Sequence, residues 1–320
     1  MKRVVAFDYI RAISVVCIIL CHFFYNYDNT RVLASWLGNT FNTIFITLSA
    51  FLIGLKWEKT NREPLGFSFL IDRIKKLSYT YYPYLIFMFL FMYFIEQKTP
   101  TIIETVLHFI FCPIIQRIPN WSHLWFISMI VICYSCTYVY TKIIQYFKIN
   151  TFIICLFGIT ALTFTQLYNL SAILANVIIY TCLYVIIFAN AKQLIKYIKK
   201  QNSITTTVTA ITLLIVLLLL VHDSSFNKSN LYGLTLGVSS AIILFILMFN
   251  FFNSKKANGF ICLISEISFE IYLVHYIFTL SDYSIIQYIH NPILALLSIL
   301  LICFITGYCL KRMSIKQFIK

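Results

Sequence analysis

The first apolar run of the chain, residues 4–25, carries charge where a membrane span should carry none. It is long enough to cross a bilayer as a helix, yet it contains Asp8, Arg11 and His22. Arg11 and His22 are eleven residues apart, which places both side chains on one helix face with about 16 Å of rise between them. Asp8 lies on roughly the same face, within reach of an i,i+3 pair with Arg11. Two interpretations follow: a structural ion pair, or a polar track from the inner side of the membrane to His22 near the outer side.

The composition predicts an all-α, polytopic transmembrane helical bundle, built as one domain over residues 1–320. Sixty per cent of the residues are hydrophobic and eleven per cent are charged, which excludes a water-soluble globular domain. The apolar runs are continuous, which excludes a membrane β-barrel. No cleavable signal peptide is expected, because the first run is too long and lacks a small-residue cleavage site. Cys133 and Cys136 form a CxxC inside an apolar run, where small apolar packing explains them better than zinc or redox chemistry.

We predict ten membrane spans, at residues 4–25, 38–55, 79–96, 122–141, 151–169, 171–190, 204–221, 231–252, 259–281 and 292–310. Most lysines and arginines fall in the segments that this topology places on the side of the N-terminus. The positive-inside rule therefore predicts both termini in the cytoplasm, and a multi-pass protein of the inner (cytoplasmic) cell membrane. This distribution also explains most of the net charge of +14, so no nucleic-acid partner is expected.

Two further segments combine charge or histidine with membrane proximity. Arg73, Lys75 and Lys76 precede the third predicted span. They are ordinary positive-inside charge or a phosphate site, in which Arg73 offers a planar fork and the lysines offer point charges. His123 and Trp125 open the fourth span near the predicted outer surface, where aromatic residues also form an interfacial belt.

The ninth predicted span is unusually polar. Ser268, Tyr272 and His275 follow an i, i+4, i+7 spacing and form a stripe on one helix face. Glu266 and Glu270 lie one turn apart on the inner half. Packing between helices through polar contacts is the alternative to a functional site.

The outer segment before the fourth span contains a shorter apolar stretch, residues 102–115, with His108 inside it. It is too short to span, so we expect a re-entrant or interfacial helix. We predict no metal site from His22, His123 and His275, because they come from different helices without an acidic ligand pair.

Taken in order, these pieces resemble the integral-membrane acyltransferase family 3, which includes polysaccharide O-acetyltransferases. Ala50 stands where the family usually has glycine, and Lys76 replaces the second arginine of its RxxR motif. The resemblance rests on five segments: Arg11-x10-His22; Leu48-Ser49-Ala50-Phe51-Leu52-Ile53; Arg73-Ile74-Lys75-Lys76, followed by Tyr82-Pro83-Tyr84; His123-Leu124-Trp125-Phe126; and Ile267-Ser268-Phe269-Glu270-Ile271-Tyr272-Leu273-Val274-His275.

The resemblance implies transfer of an acyl group from a cytoplasmic acyl-CoA to a hydroxyl of an extracytoplasmic sugar. Acetyl-CoA is the default donor and succinyl is the alternative acyl group; no cofactor is permanently bound. The acceptor would be a surface polysaccharide or a lipid-linked glycan, and the other partner is the lipid bilayer. The implied donor-binding residues are Arg73, Lys75, Lys76 and Asp8, and the implied acceptor-binding residues are His123, Trp125, Tyr272 and His275. For His123 and Tyr272, support of an oxyanion is the alternative role.

The implied catalytic residues are His22, Arg11 and Asp28. A neutral imidazole at His22 suits removal of the proton from the acceptor hydroxyl, and Asp28 would orient that ring. Direct transfer and a covalent acyl-histidine intermediate both fit these residues.

A polysaccharide or lipid-linked sugar transporter (a flippase) is the rival function. Such a protein would also have many spans and intramembrane charges. It would normally show inverted repeats or broken helices, whereas this chain has eight glycines, six prolines and no evident internal repeat. A non-enzymatic subunit of an envelope assembly is a third possibility.

Overall fold

The computed structural model describes residues 4–146, 153–154, 156–161, 172–200, 208–209, 211–213, 215 and 230–314. The described part is all-α and contains no strand. Its principal helices are α1 (Val5–Phe24), α2 (Arg31–Lys59), α3 (Phe67–Phe94), α4 (Ile102–Phe109), α5 (Trp125–Tyr146), α6 (Ala172–Lys200), α7 (Asn230–Phe252), α8 (Gly259–Glu266), α9 (Ser268–Thr279) and α10 (Pro292–Met313). Short 3-10 turns cover Asp28–Thr30, Ser122–Leu124 and Ile285–Gln287.

The helices support a membrane-spanning bundle. Within the described residues, six helices are long and apolar enough to cross a bilayer, or seven if α8 and α9 form one broken span. The predicted spans 151–169 and 204–221 lie largely outside the described residues. Helix α3 contains most of the predicted span 79–96 but is not among the six, because tyrosines, Thr80 and Pro83 lower the hydropathy of its middle. The number of ten spans and the orientation of the termini stay predictions.

The chain divides into two compact units, of which the first comprises residues 1–66 and 135–265. Its helices α1, α2 and α7 meet through aromatic rings. The rings of Phe51 and Phe245 stack at 4.9 Å, and Phe7 lies 5.7 Å from Phe249. Helix α2 also approaches α6 closely at Gly54, where an added Cβ would collide with the carbonyl oxygen of Phe188. A small residue at this point lets the two backbones come together, as is common between membrane helices.

The second unit comprises residues 67–134 and 266–320. Helix α9 packs on α10 at Gly307, where a Cβ would lie 2.8 Å from the side chain of Ile271. Helix α10 is capped by Asn291, whose side-chain oxygen accepts hydrogen bonds from two backbone N–H groups of the first turn. The short helix α4 begins with a capping box between Thr101 and Glu104. It confirms that a helix lies in the stretch 102–115, although it ends earlier than predicted.

The predicted ninth span is not one helix. It is interrupted at Ile267, which has a non-helical backbone (φ −100°, ψ 10°) between α8 and α9. Glu266 is exposed at the end of α8, whereas Glu270 is buried in the first turn of α9. The expectation that the two carboxylates share one continuous helix is therefore wrong. The stripe of Ser268, Tyr272 and His275 is retained, since all three residues are buried on α9.

Candidate active site

Helix α1 holds three of the predicted site residues in the first unit. Asp8 is buried in its first turn, and the hydroxyl of Ser265 donates a hydrogen bond of 3.0 Å to one of its carboxylate oxygens. Arg11 and His22 are half-buried on the same helix. The ion pair between Asp8 and Arg11 stays a prediction. The buried carboxylate of Asp8 thus has a hydrogen-bond donor. This contact fits both interpretations of the charged residues on α1, a structural contact and a functional polar track.

Asp28 lies in the 3-10 turn that follows α1. Its carboxylate forms a salt bridge of 2.9 Å with Arg31, and both side chains are largely exposed (84% and 63%, respectively). Such an exposed pair contributes little to stability. The carboxylate is therefore not locked in place by packing, and its predicted role of orienting His22 stays a prediction.

The predicted phosphate residues lie at the start of α3, in the second unit. Lys75 and Lys76 are exposed. Arg73 is half-buried, and its guanidinium lies over two aromatic rings, 5.4 Å from the centroid of Phe69 and 5.9 Å from that of Tyr134. The three cations thus differ in their surroundings: the Arg73 guanidinium lies over two aromatic rings, while the two lysine side chains are exposed.

Three of the four predicted acceptor-binding residues come together in the second unit. The hydroxyl of Tyr272 donates a hydrogen bond to the backbone carbonyl of His123. The imidazoles of His123 and His275 meet edge to face, with ring centroids 5.3 Å apart. All three side chains are buried. Trp125 is half-buried at the first position of α5, and its neighbour Phe126 packs on the Tyr272 ring at 5.1 Å.

Hydrogen bonds to backbone carbonyls indicate which nitrogen of each buried histidine carries the proton. The Nε2 atom of His123 lies 2.9 Å from the carbonyl oxygen of Leu273, and Nδ1 of His275 lies against that of Tyr272. A carbonyl oxygen can only accept, so these nitrogens are the donors. In the neutral rings, Nδ1 of His123 and Nε2 of His275 are therefore hydrogen-bond acceptors. An acceptor nitrogen of this kind suits a hydroxyl group of a polar ligand, which can donate a hydrogen bond to it.

Aromatic neighbours to which the sequence assigns no role complete this cluster. The ring of Tyr276 stacks on His123 at 4.8 Å, and its hydroxyl accepts a hydrogen bond of 2.9 Å from Ser122. Tyr84 of α3 approaches His123 edge to face at 6.5 Å. Tyr84 belongs to the Tyr-Pro-Tyr segment noted in the sequence, which was the one signal that could have identified it.

The second unit also contains a polar contact among three side chains, those of Glu270, Lys311 and Thr80, which the sequence does not predict. The carboxylate of Glu270 lies 3.1 Å from the ammonium of Lys311 on α10, and the hydroxyl of Thr80 donates to the same oxygen at 3.3 Å. The sequence predicts Glu270 on the inner half of its span and assigns Lys311 no role beyond the general excess of positive charge in the cytoplasmic segments. The sequence gives no signal for their pairing, because 41 positions separate them.

The family comparison covers nearly the whole chain. The model of the family described as "Acyltransferase domain" (acyltransferase family 3) matches residues 4–312. No curated protein and no solved structure matches the chain significantly. The apolar helices and the family match agree on a multi-pass membrane protein. The chain therefore belongs to acyltransferase family 3 and is a membrane acyltransferase.

Proposed function

We propose that this protein transfers an acyl group, by default acetyl, from cytoplasmic acyl-CoA to a sugar hydroxyl on the far side of the membrane. The acceptor is a surface polysaccharide or its lipid-linked precursor, and the membrane is the inner membrane of the cell. The family match over residues 4–312 carries this proposal. A half-buried histidine near the end of membrane helix α1, His22, supplies a base suited to the reaction.

The reaction follows from the chemistry of its groups. The imidazole of His22 takes the proton of the acceptor hydroxyl, and the oxygen attacks the thioester carbonyl. The tetrahedral intermediate collapses, the carbon–sulfur bond breaks, and the thiolate of CoA takes the proton from the imidazolium. Attack by His22 itself, followed by transfer from an acyl-histidine to the acceptor, gives the same products in two steps. Asp28 orients the ring and stabilises the charged imidazolium. Arg11 is itself a cation, and we assign it to the polar face of α1 that the pantetheine arm of the donor follows.

Each substrate is assigned its own polar groups. The phosphates of CoA are anionic and suit Arg73, Lys75 and Lys76, and Asp8 is assigned to the pantetheine arm. The acceptor sugar suits the cluster of His123, Tyr272 and His275, together with Trp125.

The tautomers described above favour this role for the two histidines, because each ring offers an acceptor nitrogen to a sugar hydroxyl. Tyr272 already donates its proton to a carbonyl. We therefore assign it to acceptor binding rather than to stabilisation of an oxyanion, which needs a donor.

The test is mass spectrometry of the surface glycan from cells that carry the wild-type protein, His22→Ala or His290→Ala at matched protein levels. His290 is an exposed histidine outside the proposed site, so its variant controls for loss of a histidine as such. We expect the wild type and the His290 variant to add one acyl group per repeat, and the His22 variant to add none. The mass difference also identifies the acyl group.

The other outcomes separate the rival functions. Unchanged acylation in the His22→Ala cells would remove His22 from the mechanism. Glycan that is acylated normally but fails to reach the surface would favour a transporter. Purified protein in liposomes, supplied with radiolabelled acetyl-CoA and a lipid-linked glycan, then tests the transfer without other envelope proteins.

A further inference from the structure

Arg73 differs from the two lysines beside it in how its charge is held. Its guanidinium lies 5.4 Å from the ring centroid of Phe69, one helical turn earlier on α3, and 5.9 Å from that of Tyr134 on α5. The two rings contact each other edge to face, with centroids 6.4 Å apart and an interplanar angle of 77°. Tyr134 is buried and Phe69 half-buried. The two rings therefore form an aromatic clamp around the cation.

The clamp leaves the hydrogen-bonding capacity of Arg73 unused. Attraction between a cation and an aromatic ring acts on the ring face and consumes no N–H donor. Within the part of the chain that the structure describes, the Arg73 guanidinium makes no hydrogen bond and no ion pair. A guanidinium with five N–H donors, restrained by rings but not neutralised by a carboxylate, is suited to an anion that arrives from outside.

We propose that Phe69 and Tyr134 are positioning residues, which hold the Arg73 guanidinium so that its N–H groups bind a phosphate of the acyl-CoA donor. This inference rests on the function proposed above. Binding a phosphate with a free arginine would first require ordering of a long, mobile side chain, and the clamp makes that ordering part of the fold. The restraint matters here because lysine stands at position 76, so Arg73 alone of the three cations can offer a two-pronged contact.

The experiment measures initial rates of transfer in proteoliposomes while acetyl-CoA is varied. The variants are Phe69→Leu, Tyr134→Leu and their combination, and Tyr134→Phe is the matched control that keeps the ring. We expect KM for acetyl-CoA to rise about threefold in each leucine variant and about tenfold in the double variant, since each ring contributes a modest attraction. The rate at saturating donor should change less than twofold, and Tyr134→Phe should resemble the wild type. Equal KM values in all variants would overturn the proposal.

A donor without phosphates separates positioning from a general structural role. Acetyl-pantetheine carries the thioester but no phosphate, so removal of the clamp should leave its transfer unchanged. Leucine variants that slow acetyl-pantetheine as much as acetyl-CoA would show that the rings only support the fold, and would refute the inference. An unchanged KM together with weaker binding to phosphatidylglycerol vesicles would assign Arg73 to a lipid phosphate, which also refutes it.

A different result would show that the proposed function itself is wrong, independently of the clamp. A folded wild-type protein that transfers from neither donor would contradict acyl transfer from CoA. Calorimetric titration of CoA into the purified wild-type and leucine-variant proteins then decides on the clamp. Weaker CoA binding in the variants supports the clamp, and no difference from the wild type, or no binding at all, overturns it.

Discussion

Replacement of Lys311 by methionine should destabilise the protein more than its position near the chain end suggests. The ammonium of Lys311 lies 3.1 Å from the carboxylate of Glu270, whose side chain is only 2% exposed, whereas Lys311 is 45% exposed. Methionine keeps much of the apolar stem and removes the charge. The carboxylate then stays buried, with the hydroxyl of Thr80 as its one remaining donor within the described residues. A buried charge that loses its partner is costly.

The magnitude follows from the distance and the unequal burial of the two groups. Across 3.1 Å the attraction is about 5 kcal/mol at an effective dielectric constant of about 20, and about 1 kcal/mol in bulk water. Because Lys311 is half-exposed, its interaction with Glu270 falls between these values. We expect Lys311→Met to lower the free energy of unfolding by about 2–3 kcal/mol. Removal of a partner from a fully buried pair costs about 3–5 kcal/mol.

The assay is unfolding by SDS in mixed micelles, with Lys75→Met as a control because Lys75 is exposed. Glu270→Gln should cost less than Lys311→Met, since the lysine it leaves behind can turn to water. The double variant should recover at least half of the Lys311→Met loss, because no unpaired buried charge remains. A Lys311→Met variant as stable as the control, or a double variant whose loss is the sum of the single losses, would refute this reasoning.

Three further predictions concern other parts of the chain. Gly54→Ala should lower the unfolding free energy by about 1–3 kcal/mol, because its Cβ would collide with another helix; Gly259→Ala, with nothing within 4 Å of the added atom, should not. Burial lowers the pKa of His108, an effect partly offset by its hydrogen bond to a backbone carbonyl. The folded state therefore binds fewer protons there, and unfolding free energy should fall as pH drops below about 6.5; a pH series in which His108→Asn matches the wild-type slope would contradict this. Asp28→Asn should reduce acyl transfer while changing stability by less than about 0.5 kcal/mol, since its salt bridge is exposed; unchanged transfer would exclude the proposed role.

Helix positions were predictable wherever one long apolar run coincides with one helix. The predicted spans 4–25 and 231–252 differ by a residue or so from Val5–Phe24 and Asn230–Phe252. Agreement is poorer at helix starts: α2 begins at Arg31 instead of residue 38, and α3 at Phe67 instead of residue 79. Hydropathy reports which residues suit the hydrocarbon, whereas a helix continues for as long as its backbone hydrogen bonds do.

The break at Ile267 and the partners of the buried carboxylates could not be predicted. Neither glycine nor proline lies next to Ile267, and the polar residues on either side of it, Glu266 and Ser268, are compatible with a continuous helix. The partner of Asp8, Ser265, is 257 positions away. Pairings of this kind depend on how helices pack, and one sequence contains no record of that packing. What could be predicted was the set of ionisable residues in apolar runs, since their cost in a membrane makes each one conspicuous.

The spacing along α3 relates the proposed donor residues to the proposed acceptor residues within the second unit. Arg73 and Tyr84 are eleven residues apart on this helix, which corresponds to about 16 Å of rise. Tyr84 contacts the His123 cluster. With Arg73 at the inner membrane surface, as binding of CoA phosphates requires, the cluster would lie about halfway through a hydrocarbon core of about 30 Å. That is deeper than the position near the outer surface that the sequence predicts for His123. Arg11 and His22 are spaced by the same eleven residues on α1, so each unit by itself offers a polar group at both ends of this interval. On this geometry the thioester travels about half the membrane on its flexible arm, and the sugar hydroxyl must come down to meet it. A glycan carried on a membrane lipid is anchored at the membrane surface, because its polar sugar is excluded from the hydrocarbon. This anchoring keeps the sugar closer to the site than a finished polymer would be, so we expect the lipid-linked precursor to be the acceptor.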